Sequence, residues 1–375
     1  MNVARICIYR PQKLNPTFNQ SDFIVTVETD TGLIGIGEGG APDTLAQCAS
    51  MLIGEDPARI QHLWQVMYRG WFYPAGREKL HALGALDLAL WDLKGKRLGA
   101  PVYELLGGLT RDHVACYSTG YPWQGSLAGT ARACVAAGFR AFRTAVADPK
   151  DSVFDARRIV DKTVANCQEI AEAVAGRGEW SIDFHTRLDL ADAVRLCDRI
   201  EPLNPLFIED PLRSENPAAL AALRAQVKLP LAVGEQFGDR WDVNELIERH
   251  LIDYTRVTLP NVGGITEWMK IAALCETHYI GMIPHFTGPV SLAALVHTLC
   301  ALPVPVTCEI VGAAPNLPPH LKQAADFRDG KLWPNQRPGL GVEFDPAAAE
   351  LVAEITERYA PIPTYRRPDG SYTNW

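Results

Sequence analysis

Eight short apolar runs, the first seven each followed by a stretch of helical texture and the last by the chain's final sixth or so, set the tightest limit on how these 375 residues can fold. They are VACYST (114–119), FRAFRTA (139–145), EWSIDFH (179–185), LFIEDP (206–211), LAVGEQ (231–236), YTRVTLP (254–260), IGMIPHF (280–286) and VTCEIV (306–311). From the third run on, the run-ending residues Asp183, Glu209, Glu235, Thr258, His285 and Glu309 recur at steps of about 25, the length of a strand, a loop, a helix and a second loop. Continuous apolar runs belong to parallel strands buried on both faces. Eight such units close into a barrel, whereas an open doubly wound sheet usually has fewer strands and carries a glycine fingerprint after the first, which is missing here.

The flanks read differently. Residues 3–37 alternate β-branched and polar positions around a DTG turn, the pattern of a small antiparallel sheet, and residues 43–106 switch to apolar spacings of three and four. Beyond Glu309 a Pro-rich stretch stands where an eighth helix would be expected. The segment FRDGKLWPNQRPGLGVEFD (327–345) then reads as a hairpin able to rejoin the N-terminal sheet. The expected organisation is an N-terminal α+β unit at 1–110, a barrel at 111–325 and a returning C-terminal segment at 326–375.

Composition excludes other classes. Lys and Arg number 36 against 44 Asp and Glu, a formal charge of −8 with the signs interleaved, which is not the surface of a nucleic-acid or membrane-binding protein. With 47% apolar residues the chain can bury a sizeable core. No apolar stretch reaches the roughly 18 residues of a spanning helix, and MNVARICIYRPQK lacks the features of a signal peptide, so a soluble cytoplasmic protein is expected. None of the nine cysteines forms a CxxC pair, and reduced, buried thiols are the expectation.

Barrel enzymes carry their chemistry at the carboxyl ends of the strands. Asp183, Glu209 and Glu235 end three successive runs, so three carboxylates meet at one height and repel one another unless a cation lies between them. Hard oxygen donors without thiolates favour Mg²⁺. His185 follows Asp183 by two residues, which strand alternation would point to the same side, and His285 ends the seventh run. Two imidazoles flanking a bound cation form a base and acid pair near neutral pH. Arg143, in the apolar run AFRTA, needs an anion, either a substrate carboxylate or a salt bridge to the next strand. Glu309 either hydrogen-bonds substrate or, if charged, orients a neighbour.

On these residues, and on the segments LIGEDPARIQHLWQVMYRG, ALDLALWDLKGKRLGAPVYELLGG, SIDFH, LFIEDPLRSEN, GGITEWMKIA, PGLGVEF and PDGSYTNW, the chain resembles the acid-sugar dehydratases of the enolase superfamily, mandelate racemase branch. The resemblance implies an α/β fold: a modified TIM barrel, (β/α)7β, with an N-terminal α+β capping domain completed by the C-terminal tail. It implies Mg²⁺ on Asp183, Glu209 and Glu235, His285 as base, His185 as general acid, and a small sugar-acid substrate, aldonate or aldarate. Loss of the C2 proton and of the 3-hydroxyl would give a 2-keto-3-deoxy acid. Relatives are often symmetric, so a homo-oligomer is expected.

Two departures matter. Where galactonate dehydratase-like sequences pair the strand-seven histidine with an Asp, Thr258 stands here, and a hydroxyl cannot raise an imidazole pKa as a carboxylate does. Arg143 looks like the mannonate dehydratase relatives, yet the following loop AVADPKDSVFDARR lacks their tyrosine. A racemase or epimerase of a 2-hydroxy acid, or a non-catalytic acid-sugar-binding homologue, therefore stays open as an alternative. Substrate-facing candidates in the cap are Gln20, at the end of the 11–22 segment, and Trp71 in the Trp71, Phe72, Tyr73 cluster.

Overall fold

Alternation at the N-terminus produces strands β1 (Val3–Pro11), β2 (Ile24–Thr29) and β3 (Ile34–Glu38), paired antiparallel in that order, with Gly32 taking the positive φ of the turn between the last two. The computed structural model describes residues 1–11, 21–149, 151–323, 325–359 and 365–373. Helices α1 (Pro42–Ser50), α2 (Ile60–Arg69), α3 (Arg77–Leu98) and α4 (Val102–Leu105) complete this unit. Helix α3 buries residues around its whole circumference, because one side lies on the cap sheet and the other on the barrel. Two glycines make that close approach possible. A Cβ on Gly37 would lie 1.8 Å from the Ala85 carbonyl oxygen, and one on Gly84 would lie 1.9 Å from that of Pro260.

The eight apolar runs become β4 (Val114–Thr119), β5 (Ala141–Ala145), β6 (Glu179–Asp183), β7 (Ile208–Glu209), β8 (Leu231–Val233), β9 (Tyr254–Thr255), β10 (Gly281–Met282) and β11 (Cys308–Val311), each pairing parallel with the next through β10. Pairing of β11 with β4, and a parallel bridge from Met282 to Val306, closes the barrel. Helices α5 (Leu127–Ala136), α6 (Ala156–Val174), α7 (Leu190–Ile200), α8 (Pro217–Arg224), α9 (Arg240–Glu248), α10 (Ile265–Thr277) and α11 (Pro289–Ala301) follow the first seven strands, and no helix follows β11 among the described residues. The architecture is (β/α)7β.

Inside the barrel, Tyr117, Ala141, Phe207, Ala232 and Ile283 form an apolar floor. A larger apolar shell joins strands to helices, and a third cluster holds the cap together. The C-terminal segment corrects one expectation. After β12 (Leu321–Gln323), the hairpin β13 (Asp326–Arg328) and β14 (Lys331–Trp333) forms, but β14 pairs with β4 of the barrel instead of rejoining the cap sheet. The reason is that β4 still has a free edge at Val114 and Ala115, below the level at which β11 pairs with it. Strand β15 (Glu343–Phe344) pairs with β12, and only β16 (Ala349–Ile355) reaches the cap, antiparallel to β1. Among the described residues no helix is long and apolar enough to cross a membrane, and all nine cysteines are buried and unpaired.

Candidate active site

Asp183 and Glu209 end adjacent strands and are register partners, so their carboxylates leave the barrel at one level; Glu235 follows β8 by two residues. Their side chains are 5%, 0% and 14% exposed, a depth at which uncompensated carboxylates are costly. Two guanidiniums reach them from neighbouring strands. Arg143, from β5, forms a short ion pair with Asp183, lies 3.1 Å from Glu209 Oε2 and 3.3 Å from Glu309 Oε1, and donates to Thr119 Oγ1 at 2.6 Å.

Arg256, just past β9, is fully buried. It donates to Tyr117 Oη at 2.6 Å, to Glu309 Oε2 at 3.0 Å, to Asp210 Oδ2 at 3.2 Å and to Glu235 Oε2 at 3.2 Å. Burial would raise Glu309, but Arg256 and Arg143 hold its carboxyl well below the usual range, so it is charged and acts on its neighbours. Glu209 is pushed the other way, up to about 8, first by burial and then by Asp183 and Glu309. Neither Arg143 nor Glu309 lines the open cavity; both are committed to this buried layer.

Five carboxyl groups, Asp183, Glu209, Asp210, Glu235 and Glu309, surround two guanidiniums, three more acids than bases. Glu209 Oε1 accepts from Tyr117 Oη at 2.8 Å, whereas Oε2 is buried without a hydrogen-bond partner, its Arg143 contact being poorly aligned. A negative cluster of hard donors with an orphan oxygen fits a divalent cation. As the side chains stand, no three described carboxylate, His or Cys groups converge on a single point, because Arg143 and Arg256 lie among them.

Above this layer opens a cavity of about 380 Å³. Its base carries His185, Glu235 and His285. Its walls include Gln236, Phe237 and Asn261, and the cap contributes Arg77 and His81 from α3. His185 Nε2 lies 4.0 Å from Glu235 Oε1, and His285 Nε2 lies 3.5 Å from Glu235 Oε2, so the two imidazoles flank one carboxylate. His185 arrives there by a route strand alternation does not give. The strand ends at Asp183, and His185 and Thr186 turn through φ of 48° and 56°, with the His185 amide donating to Asp183 Oδ1 at 2.6 Å. Burial lowers the His285 pKa against the pull of Glu309, favouring the neutral ring. Its Nδ1 is 3.5 Å from Thr258 Oγ1, at the outer limit of a hydrogen bond.

Trp71 does not line this cavity. Its indole N–H donates to Met67 O at 3.1 Å, and Lys79 Nζ sits 4.1 Å from its ring centre. Gln20 lies outside the described residues. Sequence reasoning passed over Arg256, Tyr117 and Asp210, though an arginine inside the apolar run YTRVTLP carried the same signal as Arg143 in its own run.

A closed (β/α)7β barrel with acidic residues on successive strand ends under an α+β cap defines a class, and comparison with known families names it. Residues 9–107 match the N-terminal domain of the mandelate racemase / muconate lactonizing enzyme family, and residues 126–348 match the enolase C-terminal domain-like family. The chain belongs to this family. Among individual relatives, the D-galactonate dehydratases of Ralstonia pickettii (strain 12J) and Pectobacterium atrosepticum are each 36% identical, with both chains covered in full. An enolase from Agrobacterium radiobacter, solved with sodium and L-malate in an ordered active site, superposes with a TM-score of 0.83 at 29% identity and 99% coverage of both chains.

Proposed function

We propose that the protein is a sugar-acid dehydratase that removes water across C2 and C3 of a small polyhydroxy acid to give a 2-keto-3-deoxy acid. The observation that carries this reading is the pair of imidazoles flanking Glu235 at the base of one cavity, above a buried negative layer. Similarity to D-galactonate dehydratases, 36% identical over the full length, supports the same chemistry. Nine unpaired, buried cysteines support a reducing, cytoplasmic setting.

Asp183, Glu209 and Glu235 are the residues that would hold Mg²⁺. When bound, the cation supplies the positive charge that offsets negative charge developing on the substrate carboxylate. His285, neutral and shielded, takes the C2 proton on Nε2. The electron pair left at C2 forms the C2–C3 double bond and expels the 3-hydroxyl, to which His185 gives a proton so that it leaves as water. The resulting enol takes a proton at C3 and becomes the ketone. Arg256 and Arg143 keep Glu309 and the carboxylates beneath from repelling the substrate anion.

The test is a panel of six-carbon aldonates and aldarates with Mg²⁺, read by 2-keto-3-deoxy product. The His285→Asn variant should lose both elimination and exchange of the C2 proton with solvent deuterium. Absence of that product across the panel overturns the reading.

A further inference from the structure

We infer that the sugar acid taken by this protein carries a second carboxylate at its distal end, an aldaric acid, and that Arg77 of the capping helix is the residue that holds it. The inference rests on the dehydratase reading and narrows its substrate class.

The cavity has two unlike ends. The inner one, at His185, Glu235 and His285, is where a first carboxylate and its C2 proton must lie for the elimination. The outer one is built by Arg77 from α3 and by Arg213, Ser214 and Glu215 from the loop after β7. Arg213 is committed to Glu215 through Nε at 2.7 Å and a shorter contact from Nη2. Arg77 is not so committed. Its one hydrogen bond runs from Nη2 to Ser214 Oγ at 3.4 Å, and among the described residues no carboxylate lies within ion-pair distance of it.

Apart from Phe237, the rest of the lining is polar and uncharged. Asn261 and Gln236 face the cavity, and burial drives His81 down to about 4, leaving it neutral at working pH. Neutral groups that donate and accept suit the hydroxyls of a sugar chain, and an uncommitted guanidinium at the far end suits an anion. Glu215, the carboxylate at this end, is ion-paired to Arg213 and feels Arg77 only at longer range, so a diacid's far carboxylate would meet an available guanidinium where a terminal CH₂OH would not use it. The volume, about 380 Å³, falls within the range of small-molecule sites, roughly 300–1,000 Å³.

The experiment compares kcat/KM for matched pairs differing only at the distal end, galactarate against D-galactonate and D-glucarate against D-gluconate, in the Mg²⁺-loaded full-length enzyme. The wild type should favour the diacid of the better pair by about tenfold or more, the worth of a charge-assisted hydrogen bond at a partly exposed site. Arg77→Gln should lower that ratio about tenfold, mainly through KM, and Arg77→Lys should restore part of it. A wild type that prefers the monoacid, or a ratio that Arg77→Gln leaves unmoved, overturns the inference. If neither class is dehydrated, the dehydratase reading fails, and calorimetry of the same four acids on the His285→Asn variant still decides: diacid binding weakened by Arg77→Gln upholds distal recognition, and equal binding of diacid and monoacid refutes it.

Discussion

Two buried carboxylates join the cap to the barrel, and they make stability fall as pH rises through neutrality. Glu38, at the end of β3, accepts from the Ser291 amide at 2.9 Å in the first turn of α11; Asp87, midway along α3, accepts from the Thr266 amide at 2.9 Å in the first turn of α10. Both lie in the interior, and burial drives each up to about 7, against the helix-terminal amides and, for Asp87, against Lys270; Asp22 adds to the rise of Glu38. Their folded values exceed the unfolded ones of about 4, so their contribution is full below that range and is lost as pH rises through about 7. Linkage between pH 6 and pH 8 gives a loss of about 1.4 kcal/mol per group, so about 3 kcal/mol for the pair. The assay is urea unfolding at both pH values for wild type and for the Glu38→Gln, Asp87→Asn double variant. Each amide resembles a protonated acid and keeps the acceptor oxygen, so the variant should lose about 3 kcal/mol less than wild type across the interval. Parallel pH profiles for the two proteins would refute the assignment of these groups.

Replacing Arg256 by methionine strips Asp210, Glu235 and Glu309 of a shared buried partner, and should cost about 3–5 kcal/mol of stability; an unchanged melting temperature without added divalent cation would show that the carboxylates compensate one another. Thr258→Val should lower kcat/KM by less than about threefold, because a 3.5 Å contact contributes little to holding His285; a hundredfold loss would mean that the hydroxyl orients the ring after all.

Much of the architecture was legible because barrel strands are buried on both faces, which leaves a mark that survives without knowledge of partners. Each of the eight apolar runs forms a strand, even where only Ile208 and Glu209 or Gly281 and Met282 meet the hydrogen-bond pattern. The hairpin at Asp326–Trp333 was legible as a hairpin but not in its destination. Turn chemistry and alternation fix local pairing, whereas the choice between two available sheet edges depends on tertiary packing. His185 shows a related limit. Strand alternation placed it on the same side as Asp183, but two residues of positive φ set its position beside Glu235, and non-glycine positive φ leaves little trace in a sequence.

The same reasoning explains why Arg143 was visible and Arg77 was not. An arginine inside an apolar run is anomalous wherever the chain folds, since a buried guanidinium must meet an anion, and the structure supplies Asp183, Glu209 and Glu309. Arg77 stands at the start of a helix among polar residues, an unremarkable place for a cation. It becomes informative only when α3 is laid across the barrel mouth, with Gly84 against the Pro260 carbonyl fixing how close the helix comes. The proposed cation ligands and proton-transfer groups thus sit at or just past strand ends, where burial makes a charge conspicuous, while the group proposed to choose the substrate sits on the cap, where charge is ordinary. In this fold the reaction class is therefore the more legible part of function, and the far end of the substrate must be read from how the cap meets the barrel.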